Sequence, residues 1–134
     1  MSLAADVELR NLLISDTELT QMVNPENIIV GWTKAPTSYP CIVIVQVGGE
    51  DSASLGYATA PSGQRLWEER ISWQINIFSD ESRKQTLQIA DRIREILFNA
   101  DGIYYKTADV DTYEDSINAY RKIVTWTRVK FNED

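Results

Sequence analysis

Residues 65–78 read Arg65-Leu66-Trp67-Glu68-Glu69-Arg70-Ile71-Ser72-Trp73-Gln74-Ile75-Asn76-Ile77-Phe78, and their reading decides the fold. Trp67, Ile71, Trp73, Ile75 and Ile77 alternate with Arg70, Ser72, Gln74 and Asn76. A period of two over this length predicts a strand with one apolar and one polar face. Ser79-Asp80-Glu81 follows and predicts a helix start, with acid in the first turn where the helix dipole favours it. The helix is expected to reach Phe98. Leu87, Ala90, Ile93 and Leu97 form its core stripe, flanked by Ile89 and Ile96, and Arg83, Lys84, Asp91, Arg92 and Glu95 face water. Asn99 to Gly102 ends it.

Working outward, residues 4–14 read as a helix with Ala5, Leu9, Leu12 and Leu13 on one face. Ser15-x-x-Glu18 has capping-box spacing and starts a second helix through Val23, which Asn24-Pro25 ends. Ile28-Ile29-Val30 is a short strand closed by Gly31, followed by a turn-rich stretch with Pro36, Ser38 and Pro40. Cys41 to Val47 is apolar on both faces, as in a central strand covered on both sides, and Gly48-Gly49 closes it. Residues 48–64 form a long glycine-rich stretch, read either as a hairpin arm or as a flexible loop. Ile103-Tyr104-Tyr105 starts another strand that leads into an acidic loop with Asp109, Asp111, Glu114 and Asp115. Tyr120 to Phe131 is the last strand, with apolar Tyr120, Ile123, Val124, Trp126, Val129 and Phe131. This order predicts one α+β domain over residues 1–134, a mostly antiparallel β-sheet with helices packed on one face.

Composition narrows the function. A chain of 134 residues holds one domain with a real core. Thirteen Lys and Arg against twenty Asp and Glu give a net charge of −7, which disfavours gripping nucleic-acid phosphates or anionic membranes. No apolar run is long enough to span a bilayer, and no signal peptide is expected. The single cysteine, Cys41, allows no internal disulfide. The chain contains no histidine, which removes Ser-His-Asp and Cys-His catalysis and histidine-ligated zinc. No phosphate-binding glycine motif is present. Asp109-Val110-Asp111 opens like a calcium loop, but Tyr113 and Glu114 stand where the pattern needs an oxygen ligand and glycine. Glu68 and Glu69 are adjacent on a strand and point to opposite faces, unlike a glycosidase pair. Cys41 begins an apolar strand and reads as a small buried hydrophobe. The tryptophans fall on apolar strand faces, except Trp32, which follows Gly31 in a turn and suits a partner anchor. The expectation is therefore no catalytic residue, no cofactor and no metal.

The ordered set of elements resembles the small tail-completion, or tail-terminator, proteins of long-tailed bacteriophages and prophages. The resemblance rests on the helical pair ending at Val23-Asn24-Pro25, the strand Tyr39-Pro40-Cys41-Ile42-Val43-Ile44 and the strand Trp73 to Ser79. It continues in the helix Ala90-Asp91-Arg92-Ile93-Arg94-Glu95-Ile96-Leu97 and the closing strand after an acidic segment. It implies a structural protein that assembles with itself as a ring, a hexamer, on the head-proximal end of the tail tube. Its partners are the tail tube protein and the head connector or neck protein. DNA passes without specific binding, no membrane is involved, and the protein resides in the virion tail and, during assembly, in the host cytoplasm. Trp32, Leu55, Tyr57, Asp109, Asp111, Glu114 and Asp115 are the expected partner-contact residues. A non-catalytic intracellular binding module, or another neck adaptor, is the competing reading.

Overall fold

The computed structural model describes residues 3–31, 38–52 and 66–133. Two helices, α1 (Leu3–Ile14) and α2 (Thr17–Met22), precede a short 3-10 turn and strand β1 (Ile28–Val30). β2 (Cys41–Ser52), β3 (Leu66–Ser79), α3 (Arg83–Phe98), β4 (Ile103–Glu114) and β5 (Ala119–Glu133) follow. The five strands form one sheet in the order β1-β2-β3-β5-β4. β1 runs parallel to β2, and every other pairing is antiparallel. The fold is the expected α+β class.

The alternation in β3 does what its period dictates. Ile71, Trp73, Ile75 and Ile77 join Ile42 and Ile44 of β2 and Val124 and Trp126 of β5 in one core, covered by Leu9, Leu13 and Leu19 of the N-terminal helices and Ile89, Ile93 and Leu97 of α3. β2 is covered on both faces as its composition requires. Cys41, Val43 and Val45 form a second cluster with Phe78 on the other side, packed by Tyr39 and Ile117. Val47 departs from the expectation. A bulge between Gln46 and Gly48 pushes it out, and it is 53% exposed. Gly48 and Gly49 do not end β2, because pairing with β3 continues to Ser52 opposite Glu68. Residues 53–64 of the expected arm, Trp32 and Pro36 in the turn, and the side chains of Trp67 and Phe131 lie outside the described residues.

Both helix starts fall later than the sequence suggests. Asp16, not Ser15, caps α2, accepting from the Leu19 N–H at 2.9 Å, while the Ser15 hydroxyl turns back to the Asn11 carbonyl. A carboxylate wins this position because Arg92 of α3 grips both its oxygens, at 2.8 and 2.7 Å. Arg92 is therefore a tie between helices, not a water-facing residue. Ser82 caps α3 through the Gln85 N–H at 3.1 Å. Ser79 is buried in the turn before it, bonding the Glu81 and Ser82 amides and the Gln85 side chain, and no acid lies in the first turn. The core stripe of α3 is Thr86, Ile89, Ile93, Ile96 and Leu97, with Leu87 and Ala90 only half-buried. Gly31 and Gly102 close β1 and the α3–β4 turn at φ of 89° and 106°, a region that glycine enters without a Cβ penalty.

One polar contact fixes the helical layer on the sheet. Asp6 of α1 accepts from the Trp73 indole N–H at 2.8 Å and from the Gln46 amide at 2.7 Å. Trp73 is fully buried, stacked on Tyr104 with centroids 6.5 Å apart and covered by Arg128 at 5.5 Å. We expect Asp6→Ala to cost about 1–3 kcal/mol in urea unfolding, because it strands a buried indole donor. Trp73→Phe in that background is then expected to add less than it costs alone; full additivity would show that the two groups are uncoupled.

A second expectation concerns acid. The Arg92 hydrogen bond lowers the Asp16 pKa from its ordinary 3.8, against the opposing effect of burial. A depressed folded value stabilises the protein above the unfolded value, and that contribution fades as pH falls through the folded one. Asp16→Asn is expected to lower stability by about 1 kcal/mol at neutral pH, with the gap to the parent closing below pH ~4. A gap that stays constant down to low pH would contradict the pairing.

Candidate assembly surface

The sheet ends on β4, and this edge carries Asp109, Asp111 and Glu114, three of the seven residues expected to meet a partner, with Asp115 just beyond it. The acidic stretch is a strand and not a loop. Asp109 and Asp111 pair with Val124 and Lys122 of β5, and Glu114 pairs with Ala119. The correction has a simple physical basis. An edge strand with little cover on either face does not need apolar side chains, so polar composition does not forbid it. Ten of its twelve residues are exposed. Asp115 begins the exposed turn that leads to β5, where Asn118 takes a positive φ of 52°.

Face assignment follows from register. A bulge between Lys106 and Ala108 shifts the alternation by one residue. Tyr104, Lys106, Asp109, Asp111 and Tyr113 therefore share the side that carries the helices, while Ile103, Tyr105, Ala108, Val110, Thr112 and Glu114 face the other way. The bulge brings Lys106 and Asp109 onto one face, where they bond at 3.0 Å.

The acids are not free charges. Lys122, only 6% exposed, bonds Asp109 at 2.5 Å and Asp111 at 3.4 Å. Arg83, at the start of α3, reaches Asp111 at 3.0 Å. Glu114, on the opposite face, accepts from Arg121 at 2.9 Å, and Arg121 also donates to the side-chain amide oxygen of the buried Asn76 at 2.6 Å. Burial alone would raise the Asp109 pKa, but hydrogen bonds from Lys122 and Lys106 outweigh it and hold the carboxyl below its ordinary 3.8. Lys122 is held above its ordinary value in the same way, its desolvation being outweighed by the Asp109 bond. Asp109 and Asp111 thus have internal partners that sequence reasoning missed: Lys122, Arg83 and Lys106. Two residues apart on a strand, Asp109 and Asp111 fall on one face, but the segment read as a loop and nothing local pointed to the lysine on the neighbouring strand.

What remains open to a partner is apolar and backbone. Of the eight exposed large hydrophobic residues among those described, four lie on β4: Ile103, Tyr105, Val110 and Tyr113. Trp32, Leu55 and Tyr57, the other expected contact residues, lie outside the described residues. Beside the start of β4 a groove of about 520 Å³ is lined by Glu8, Leu12, Ile103, Tyr104, Arg128 and Val129 among others. Arg128 bonds Glu8 at 2.7 Å and Glu69 at 2.8 Å.

Chemically, the described residues offer little to a reaction. None of their His, Cys, Asp and Glu residues gather in a group of three or more able to hold a metal. Asp16 and Asp109 both have their pKa moved down, away from the range a general acid needs at neutral pH. Burial pushes the Cys41 thiol up to about 11, so it stays protonated and unreactive. None of the helices among the described residues is long and apolar enough to cross a membrane.

Residues 7–112 match the family described as Tail completion protein gp17. A search of curated proteins gives no match. Among solved structures, the fold is similar to a chain in the virion of a native gene transfer agent particle, with a TM-score of 0.63 and 14% identity over 99% of this chain and 96% of that one. It is also similar to the gp17 protein of bacteriophage SPP1, with a TM-score of 0.55 and 18% identity over 95% of this chain and 88% of that one.

The ion pairs predict unequal costs within the acidic strand. Asp109→Ala leaves the buried Lys122 with only its longer contact to Asp111 and is expected to cost about 1–3 kcal/mol. Asp111→Ala, which loses an exposed arginine and a long lysine contact, is expected to cost less than about 1 kcal/mol. The Asp109 contribution is present above its ordinary pKa and fades as pH falls through the depressed folded value. Equal costs in urea unfolding at neutral pH would contradict this assignment.

Proposed function

The chain belongs to the gp17 tail completion protein family, and from that membership we propose that it caps the tail tube as a ring and joins it to the head connector. The match over residues 7–112 carries this reading, and the fold shared with two phage-type particle proteins supports it. The subunits form a closed ring of six, a heterologous assembly in which one surface of each copy meets a different surface of the next. The ring sits on the head-proximal end of the tube, ends its growth, and offers its other side to the neck. The protein works without cofactor or catalysis, in the host cytoplasm while tails assemble and in the virion tail afterwards.

β4 is the contact surface in this proposal. Four exposed apolar residues on one edge strand are costly for a lone subunit, since free edges recruit other chains. The acids of β4 serve first to seat Lys122 and Arg83, and they leave a surface without excess positive charge past which DNA moves without being held. Asp115 and the groove beside Ile103 border the same edge and extend the surface toward tube or neck.

The test is tail-tube growth in vitro, followed by negative-stain electron microscopy. With purified tube protein of the same phage, added chain is expected to stop elongation, shorten the mean tube and place ring density at one end. Val110→Asp, which charges the exposed edge, is expected to weaken capping at least about tenfold while leaving the fold intact. Tubes that grow to the same length with and without the chain would overturn the capping role.

A further inference from the structure

We propose that the free edge of β4 receives residues 53–65 of a second copy of this chain as an added strand. This inference rests on the ring reading above and specifies how neighbouring subunits meet. Three observations on the edges of the sheet lead to it.

First, the two edges differ. β1 is three residues long, and the Arg10 side chain occupies its Ile28 carbonyl at 2.9 Å. β4 is twelve residues long, almost wholly exposed, and holds Ile103, Tyr105, Val110 and Tyr113. A blunted edge resists pairing, and a long open one invites it. The accepting side of the contact is therefore β4.

Second, β4 does not suit a copy of itself. An antiparallel twofold pairing centred on Val110 sets Asp109 against Asp111 of the other copy, twice. Carboxylates directly opposite one another on one face destabilise a strand pair. Lys122 lies on the β5 side of these acids, not at the free edge between the copies. This disfavours an isologous dimer and favours a different segment as the added strand, which is also what a closed ring requires.

Third, the chain carries a segment of fitting length and charge. The β2–β3 pairing runs past the last core residue of β3, Ile71, out to Ser52 opposite Glu68. Residues 53–65 connect these ends and read Ala53-Ser54-Leu55-Gly56-Tyr57-Ala58-Thr59-Ala60-Pro61-Ser62-Gly63-Gln64-Arg65. They contain no acid and one arginine, so they meet Asp109 and Asp111 without like-charge opposition. Thirteen residues reach roughly 20 Å as a hairpin and about twice that when extended. Within one subunit β5 occupies the inner edge of β4, so only the outer edge of β4 is open to an added strand, and a closed ring assigns that strand to a neighbouring copy. Main-chain hydrogen bonds supply the affinity of such an addition, and alternate side chains such as Leu55 and Tyr57 supply its register.

Disulfide trapping tests this on the full chain. Cys41 is buried with a thiol that stays protonated, so it needs no replacement. One protein carries Leu55→Cys or Tyr57→Cys, the other Val110→Cys or Thr112→Cys, and light scattering first establishes the mass of each assembly. Mixed and oxidised, a 55/57 variant with a 110/112 variant is expected to give at least ~10-fold more covalent pairs than either protein alone, since a disulfide forms only at short Cβ separation. Covalent dimers of Val110→Cys with itself would show that β4 pairs with β4 and overturn the inference. Assemblies of ring mass that never cross-link between these positions would overturn it while leaving the ring intact. A chain that stays monomeric at every concentration, alone and on tail tubes, would overturn the ring reading and this inference with it.

Discussion

The carboxylate of Asp6 is the contact on which the arrangement depends. It accepts from Trp73 in the middle strand and from Gln46 on the next, and so sets where α1 lies across the sheet. With α1 seated, Leu9 and Leu13 close the core over β2 and β3, and Glu8 is placed to meet Arg128. Asp16 then holds Arg92, which locks α3 beside the first two helices. Two acids near the N-terminus thus register the whole helical layer. A partner for the buried Trp73 indole is worth more in that interior than in water, because the donor has no solvent to fall back on, whereas the Arg92 pair keeps partial solvent access and acts through its two-oxygen geometry.

That layer does not cover the whole sheet. It covers β2, β3 and β5 and leaves β4 largely bare. The outer strand is held by its pairing with β5 and by ion pairs from Lys122 and Arg83, not by burial. A strand kept in place without a core is free to present its outer edge and its apolar side chains. The same economy explains why its carboxylates look like free acids in sequence and carry ion pairs in the fold. The part of the sheet left open is therefore its outer strand, with both faces largely exposed.

Much of the fold was legible in the sequence for definite reasons. The alternation from Ile71 to Ile77 appears as read, and the two-sided apolar run from Cys41 to Val47 appears as read except at its end, where Val47 is exposed. The helix of residues 83–98 was clear, but its start was not. Ser79 and Ser82 are both good caps, and the choice depends on where Gln85 hydrogen-bonds. Asp16 likewise outcompetes Ser15 because of Arg92, far along the chain. The bulges at Val47 and Thr107 leave no mark in composition, yet one exposes a valine and the other puts Lys106 beside Asp109. The candidate surface was half legible: Asp109, Asp111, Glu114 and Asp115 read as one acidic loop, whereas the first three lie on β4, Glu114 on the face opposite the two aspartates, and Asp115 begins the next turn. Lys122 on β5 and Arg83 on α3, which pair with the aspartates, have no local signal linking them to the acids.

The claim at the centre of this account is that the open edge of β4 becomes a buried strand when subunits assemble. Hydrogen–deuterium exchange, read by mass spectrometry on peptides covering residues 103–114 in dilute chain and in assembled rings or capped tubes, tests it most directly. The account predicts that amides of β4 exchange at least about tenfold more slowly in the assembly, while those of α3 and β3 change little, since only edge amides gain a partner. Unchanged exchange in β4, with protection appearing elsewhere on the molecule, would contradict it.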